Sequence, residues 1–262
     1  MVQKNKKMSD YRVASPCLKK PNSMNPQFIS LLLSPYNWFQ QITFMKILIF
    51  AGLIAGLSIK GFSQGPPEFG IFAGPQITSA HYTVDGQKQD ANHKYGFQAG
   101  VLLKVPFDNH LFFSPNVYYS LKGYDVELKN GAFPPSTLAI DNNTTVHTIE
   151  LGGFLQYDFV KQPGGFFIKA GPAFDFAFSG DETYTLADET VVEQPMKFSF
   201  GDYGRITASL NVQFGYETKS RYMIFAHYAH GLGSMNNADG GPQIKHRILG
   251  ISFGKYLHKR KG

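Results

Sequence analysis

Residues 144–178 read TTVHTIELGGFLQYDFVKQPGGFFIKAGPAFDFAF, and this stretch decides the fold. Its first half sets His147, Ile149, Leu151, Gly153, Leu155, Tyr157 and Phe159 on one parity. Thr148, Glu150, Gly152, Gln156 and Asp158 fall on the other. After Gln162-Pro163-Gly164-Gly165 the alternation resumes. Phe166, Ile168, Ala170, Phe174, Phe176 and Phe178 share one face, while Lys169, Gly171, Ala173 and Asp175 share the opposite one. A period of two describes a strand with two unlike faces. Both runs exceed the usual soluble strand of about 5–6 residues. An aromatic face backed by small and charged residues suits a strand with lipid outside and a polar lumen inside.

The rest of the composition agrees. A chain of 262 residues suits one large domain. Charged residues make up 17% and aromatics 15%, with 27 Gly and 24 Phe, which fits a β-barrel better than an α/β enzyme core. Mean hydropathy is −0.19, as expected where only alternate residues meet lipid. The net charge of +6 gathers at the ends, in Lys4, Lys6, Lys7, Arg12, Lys19 and Lys20 and in His258-Lys259-Arg260-Lys261. No Lys/Arg stripe runs through the middle, so nucleic acid is not expected as a partner. Cys17 is the single cysteine, which excludes a disulfide framework and a cysteine metal site. Pro16 before it, with no apolar run upstream, argues against a lipoprotein anchor.

Taken in order, residues 1–44 carry no period and are broken by Pro16, Pro21, Pro26 and Pro35. Met45-Lys46 then precedes the apolar run Ile47–Ile59 and the small residues of Gly61-Phe62-Ser63. We read 45–63 as a signal peptide cut before Gln64, and 1–44 as a non-native N-terminal extension. The alternative is a cytoplasmic leader ahead of an uncleaved anchor. A linker at 64–68 leads into strands expected at 69–80, 94–106, 111–124, 144–160, 166–178, 202–216, 221–230 and 244–256, and 258–262 is a basic tail. Eight is an even number. The connections Pro106–His110, Lys161–Gly165 and Glu217–Ser220 are short. His81–His93, Asp125–Asn143, Ser179–Gly201 and Gly231–Gln243 are long. Short periplasmic turns opposite long outer loops are the outer-membrane pattern. The expected fold class is therefore all-β, an eight-stranded antiparallel transmembrane β-barrel over 69–257 in the cell outer membrane.

Two aromatic belts are expected at the strand ends. Phe69, Phe107, Phe113, Phe159, Phe166, Tyr216, Tyr222 and Tyr256 fall on the short-turn side; Tyr82, Tyr95, Tyr124, Phe178, Tyr203 and Tyr228 fall on the long-loop side. A soluble sandwich or lipocalin-like barrel is the competing reading. Pro75, Pro115 and Pro172 lie inside strands on the lipid parity, each after a small residue, and bulges or kinks are expected there.

Certain marks resemble a known family: Phe62-Ser63-Gln64 at the signal end, the Gly-Pro pairs at 74–75 and 171–172, Tyr228-Ala229-His230-Gly231-Leu232, and the closing Arg247-Ile248-Leu249-Gly250-Ile251-Ser252-Phe253-Gly254. Over about residues 45–257 the chain is similar to the PorT-like outer-membrane β-barrel proteins common in Bacteroidetes. The resemblance implies an eight-stranded outer-membrane barrel, and its founding member is linked to protein secretion. Such barrels often end on an aromatic residue read by the barrel assembly machinery. Here Lys255-Tyr256-Leu257 is followed by five more residues.

The lumen-facing ionisable residues are expected to be Lys104, Glu150, Asp158, Lys169, Asp175 and Arg205. Charges inside a narrow barrel need partners. Pairing Asp158 with Lys169 across the hairpin sets Gly152 opposite Asp175 and lets Asp175 meet Arg205. A barrel of eight strands has room for side chains and little else, so these residues read as a salt-bridged plug rather than a conduit. Arg205→Leu is expected to destabilise the barrel. A lipid A deacylase needs a His with a Ser two residues on. His227 is followed by Ala229 and His230 by Leu232, and Ser234 lies in a loop. Asp181, Glu182, Asp188, Glu189 and Glu193 read as a solvated acidic loop rather than a calcium site. No catalytic, cofactor or metal site is expected. The reading is a non-enzymatic barrel, structural or interacting through its extracellular loops with a protein partner, in a secretion or envelope assembly. A small transport pore and a lipid A-modifying enzyme are the alternatives.

Overall fold

The structure, a computed structural model, describes residues 66–160 and 164–257. The extension at 1–44 with Cys17, the signal segment, the turn at 161–163 and the basic tail lie outside the described residues.

Eleven strands are described: β1 (Glu68–Val84), β2 (Gln87–Lys88), β3 (Asp90–Asn92), β4 (Lys94–Pro106), β5 (Leu111–Glu127), β6 (Asp141–Asp158), β7 (Gly165–Thr185), β8 (Val191–Pro195), β9 (Ile206–Glu217), β10 (Tyr222–Gly231) and β11 (Gln243–Tyr256). Eight of them, β1, β4, β5, β6, β7, β9, β10 and β11, pair in that order, and β11 returns to β1. Every pairing is antiparallel. The sheet is thus a closed eight-stranded barrel with no free edge in its ring. The short β2, β3 and β8 add to the walls above β1, β5 and β7.

The three prolines cause no bulge. Pro75 pairs with Phe97, Pro115 with Gly153 and Pro172 with Leu210. On the opposite side of each, the ladder skips two positions and resumes in the same register. Proline supplies no donor there, and that rung of the ladder is simply absent. Glycine beside two of them permits the close approach that follows. A side chain at Gly74 would run into the Ile251 carbonyl, and one at Gly171 into that of Gly153.

The bulge lies elsewhere. Between β6 and β7 the register shifts as Thr148 faces Ala177 while His147 faces Ser179, leaving Phe178 extra. Beyond it the inward parity changes, so Gly180, Glu182 and Tyr184 turn inside. The segment read as a loop from Ser179 is in fact a hairpin of β7 with β8.

β7 is 21 residues long, against about 9–11 needed to cross a bilayer. The surplus stands on the long-loop side, and the faces exchange character there. On β1 the outward series Phe69, Ile71, Ala73, Pro75, Ile77 gives way to Ser79, His81, Thr83; on β11 Phe253, Ile251, Leu249 gives way to Arg247, Lys245, Gln243. Inside, the polar Gln76 and Thr78 give way to Ala80, Tyr82 and Val84, all buried. The lower part is apolar outside and polar within; the upper part is the reverse.

That exchange corrects the belts. Phe69, Phe107, Phe159, Phe166, Tyr216 and Tyr222 are exposed at the short-turn end, but Phe113 is half-buried and Tyr256 lies inside. At the other end Tyr95, Phe178 and Tyr228 are exposed, whereas Tyr82, Tyr124 and Tyr203 are buried. Tyr82 and Tyr124 continue the inward parity of their strands past the membrane level, and Tyr203 enters from a loop.

Candidate functional site

The lumen is filled in tiers. At the short-turn end, Arg221 pairs with Glu68 and with Glu217 at 2.5 Å. Lys104 bonds Asp158 at 2.5 Å and Glu217 at 3.1 Å. Its ammonium lies 4.4 Å from the Phe112 ring centre, and the Arg221 guanidinium lies 4.8 Å from that of Tyr256. These distances suit cation–π contact. Gln156 donates to Asp158 at 2.6 Å. An apolar layer follows, made of Phe72, Leu102, Tyr118, Phe167, Met223, Phe225 and Tyr256.

The second polar tier centres on Lys122. It donates to Glu150 at 2.9 Å and to Asp175 at 2.8 Å. The two carboxylates are direct cross-strand neighbours on β6 and β7, a repulsive placement without the shared cation. Thr207 also donates to Asp175, at 3.3 Å. Beside them Gln76 reaches Ser120 and Gln98 reaches Ser252, each at 2.9 Å, with His227 between the two glutamines.

Loops close the long-loop end. Tyr82, Val84, Tyr124, Val126, Val146 and Ile244 from the walls pack with Met196, Tyr203 and Met235 from the connections. The Tyr203 hydroxyl donates to Glu182 at 2.7 Å, and Gln194 donates to the other oxygen at 2.8 Å. Burial holds the Glu182 carboxyl above its ordinary range, while those two bonds pull it back. Backbone bonds tie the loops down: Met196 to Gly180, Gly204 to Met235 and Met235 to Ile244.

Of the residues expected in the lumen, Lys104, Glu150, Lys169 and Asp175 are buried inside it and Asp158 lies at its short-turn end. Their partners differ from those expected. The register sets Lys169 opposite Gln156, not Asp158, and Asp175 opposite Glu150, not Gly152. This two-residue offset follows from a turn longer than the one assumed. Lys169 lies 3.4 Å from the Ser114 hydroxyl and 5.2 Å from the Phe167 ring centre, with no carboxylate in ion-pair range among the described residues.

Arg205 is not in the lumen. β9 begins at Ile206, so Arg205 belongs to the preceding connection, is exposed, and lies over the Phe198 ring at 5.5 Å. It meets no residue of the network, and the expected loss of stability in Arg205→Leu loses its basis. The sequence reading missed Lys122, Glu68, Glu217 and Arg221. Lys122 shares the parity of Ser114, Asn116 and Ser120, which was signal enough. Glu68 and Glu217 sit at strand ends given to linker or turn, and Arg221 opens its expected strand, one residue before β10 begins. Among the described residues no trio of His, Cys, Asp or Glu gathers as a metal site, and no helix is long and apolar enough to cross a membrane.

The family described as outer membrane protein beta-barrel domain matches residues 51–237. No curated protein matches the chain. Among solved structures the chain is similar to OprG from Pseudomonas aeruginosa, at 12% identity over 75% of this chain and 99% of that one, with a TM-score of 0.44. It is also similar to Ail of Yersinia pestis, at 13% identity over 72% and 98%, TM-score 0.37. Neisserial surface protein A gives 11% over 72% and 97%, TM-score 0.39. At these scores the likenesses carry no functional weight.

Proposed function

The chain belongs to the outer membrane protein beta-barrel domain family and resides in the outer membrane, and from that premise we propose that it is a non-conducting, non-enzymatic scaffold that meets a protein partner through its outer half. The observation that carries this reading is the packed lumen. Two ion-paired tiers are separated by one apolar layer and closed by another. An eight-stranded barrel is just wide enough for such side chains to fill it, which leaves no open conduit.

The long-loop end, taken as extracellular in keeping with barrels of this kind, carries the contact surface. Leu138, Ile140 and Val191 are exposed there although the surrounding outer face is polar. Ile140 donates its backbone amide to Thr185, and Thr185 pairs with Val191, so this apolar strip runs across adjacent segments. Exposed apolar side chains on a rigid support are the usual material of a protein contact. The finer assignment to a PorT-like member working in a secretion or envelope assembly rests on the Gly-Pro pairs and closing strand quoted above.

The reading is tested by reconstituting the purified barrel in planar bilayers and by photo-crosslinking from Leu138 and Val191 in cells. Electrical silence together with a discrete protein adduct is the expected result. Unitary conductance steps would make the protein a small pore instead.

A further inference from the structure

The wall is low between β9 and β10. β9 starts at Ile206, which pairs with Phe176, and Phe176 also pairs with Ile149, the last apolar outward residue of β6 at this end. Ile206 thus marks the upper limit of the lipid-facing surface. Against it lies a groove of about 440 Å³, lined by Phe198, Phe200 and Ile206 with Ser199, Arg205 and Asn237 at its polar edge. That is the size range of small-ligand sites, about 300–1,000 Å³. Phe200 is 86% exposed and Ile206 60%, a large apolar surface at the level where headgroups meet acyl chains.

Arg205 differs from the cations of the lumen. Lys104, Lys122 and Arg221 each hold carboxylates. Arg205 has no carboxylate in ion-pair range among the described residues, and its guanidinium lies over the Phe198 ring at 5.5 Å. Asp202, three residues earlier, is taken up by the Ser199 hydroxyl at 2.6 Å. A planar guanidinium with open donors is suited to a phosphate, which it meets with two parallel hydrogen bonds.

We propose that this groove binds one phosphorylated lipid of the outer leaflet, its acyl chain along Phe198, Phe200 and Ile206 and its phosphate on Arg205. The level of the groove selects a lipid over a soluble phosphate. The apolar floor continues downward into the lipid-facing Leu210 and Phe174, so an acyl chain enters without leaving the membrane. The Arg205 cation selects a headgroup that carries phosphate over one that carries none.

Native mass spectrometry of the detergent-purified barrel, titrated with diphosphorylated lipid A, tests the assignment. A one-to-one adduct is expected. Arg205→Gln weakens it by about tenfold or more, the cost of one lost charge-assisted contact, while Arg205→Lys keeps part of the affinity. Phe200→Ser weakens it as well. Lipid A stripped of its phosphates binds the wild-type barrel no better than intact lipid A binds the Gln variant. Both substituted side chains are exposed outside the strands, so the variants keep heat-resistant migration in unheated gels. Equal binding of phosphorylated and dephosphorylated lipid by the wild-type barrel overturns the proposal, and that comparison needs no variant. Full displacement of the lipid by millimolar inorganic phosphate also overturns it, since the ligand would then be a soluble anion.

Discussion

The membrane half and the outer half of this barrel are one continuous sheet built for two solvents. In the lower half Ile149, Leu151, Leu155 and Tyr157 face lipid, while Glu150 and Gln156 face in. In the upper half of the same strand Asn143, Thr145 and His147 face out, while Val146 faces in. The backbone ladder runs on through the change, interrupted only beside the three prolines and at the Phe178 bulge. Only the side chains register where lipid ends. The lower half is stabilised by lipid on its outside and by charge pairing within. The upper half is a water-facing barrel with a core of its own.

The largest expected effect breaks the lower half from inside. Lys122→Met leaves Glu150 and Asp175 adjacent, buried and without a shared cation, at a cost of about 3–5 kcal/mol. The midpoint of urea unfolding in lipid vesicles reads it. Adding Glu150→Gln and Asp175→Asn to Lys122→Met recovers most of the loss; no recovery would mean that packing rather than charge holds this tier.

A smaller effect compares the two outer faces directly. Leu151→Arg places a charge against lipid and costs about 2–4 kcal/mol. Asp181→Arg, on the neighbouring strand above the lipid level, changes stability by no more than about 0.5 kcal/mol. Equal costs at the two sites would erase the boundary drawn between the halves.

The smallest effect concerns the outer core. Burial raises the Glu182 carboxyl above its ordinary value, so the neutral form is favoured in the closed cap. Cap stability is then greatest below the unfolded carboxyl value of about 4.3 and declines as pH rises through the folded one. Amide exchange at Met196 and Tyr203, corrected for intrinsic rate, is expected to be faster at pH 7 than at pH 5. Glu182→Gln removes the slope.

The alternation at 144–178 made the barrel legible, and the eight ring strands fall close to where that alternation and the turn spacings put them. Lumen membership was legible wherever a residue sat well inside a strand, as with Glu150 and Lys169. It failed at strand ends. Glu68 and Glu217 lie one residue beyond the expected limits, where parity gives no warning, and Arg221 opens its expected strand on the inward parity. Arg205 failed in the opposite sense, because the expected β9 began four residues too early. Pair identities were not legible at all. They depend on the turn between β6 and β7, and an offset of two preserves every facing while exchanging every partner. The cap was hidden because Tyr82, Tyr124 and Tyr203 look the same in sequence whether they meet headgroups or one another.

Closure of β11 onto β1 has a consequence for how the chain is made. Gly70 pairs with Tyr256 and Thr83 with Gln243, so the first strand to leave the ribosome waits for the last. Until then β1 and β10 are both raw edges, which a bilayer does not tolerate. The barrel therefore has no stable half-built form to insert. Translation stopping short of Gln243 is expected to leave a ring that cannot close, however intact its other seven strands.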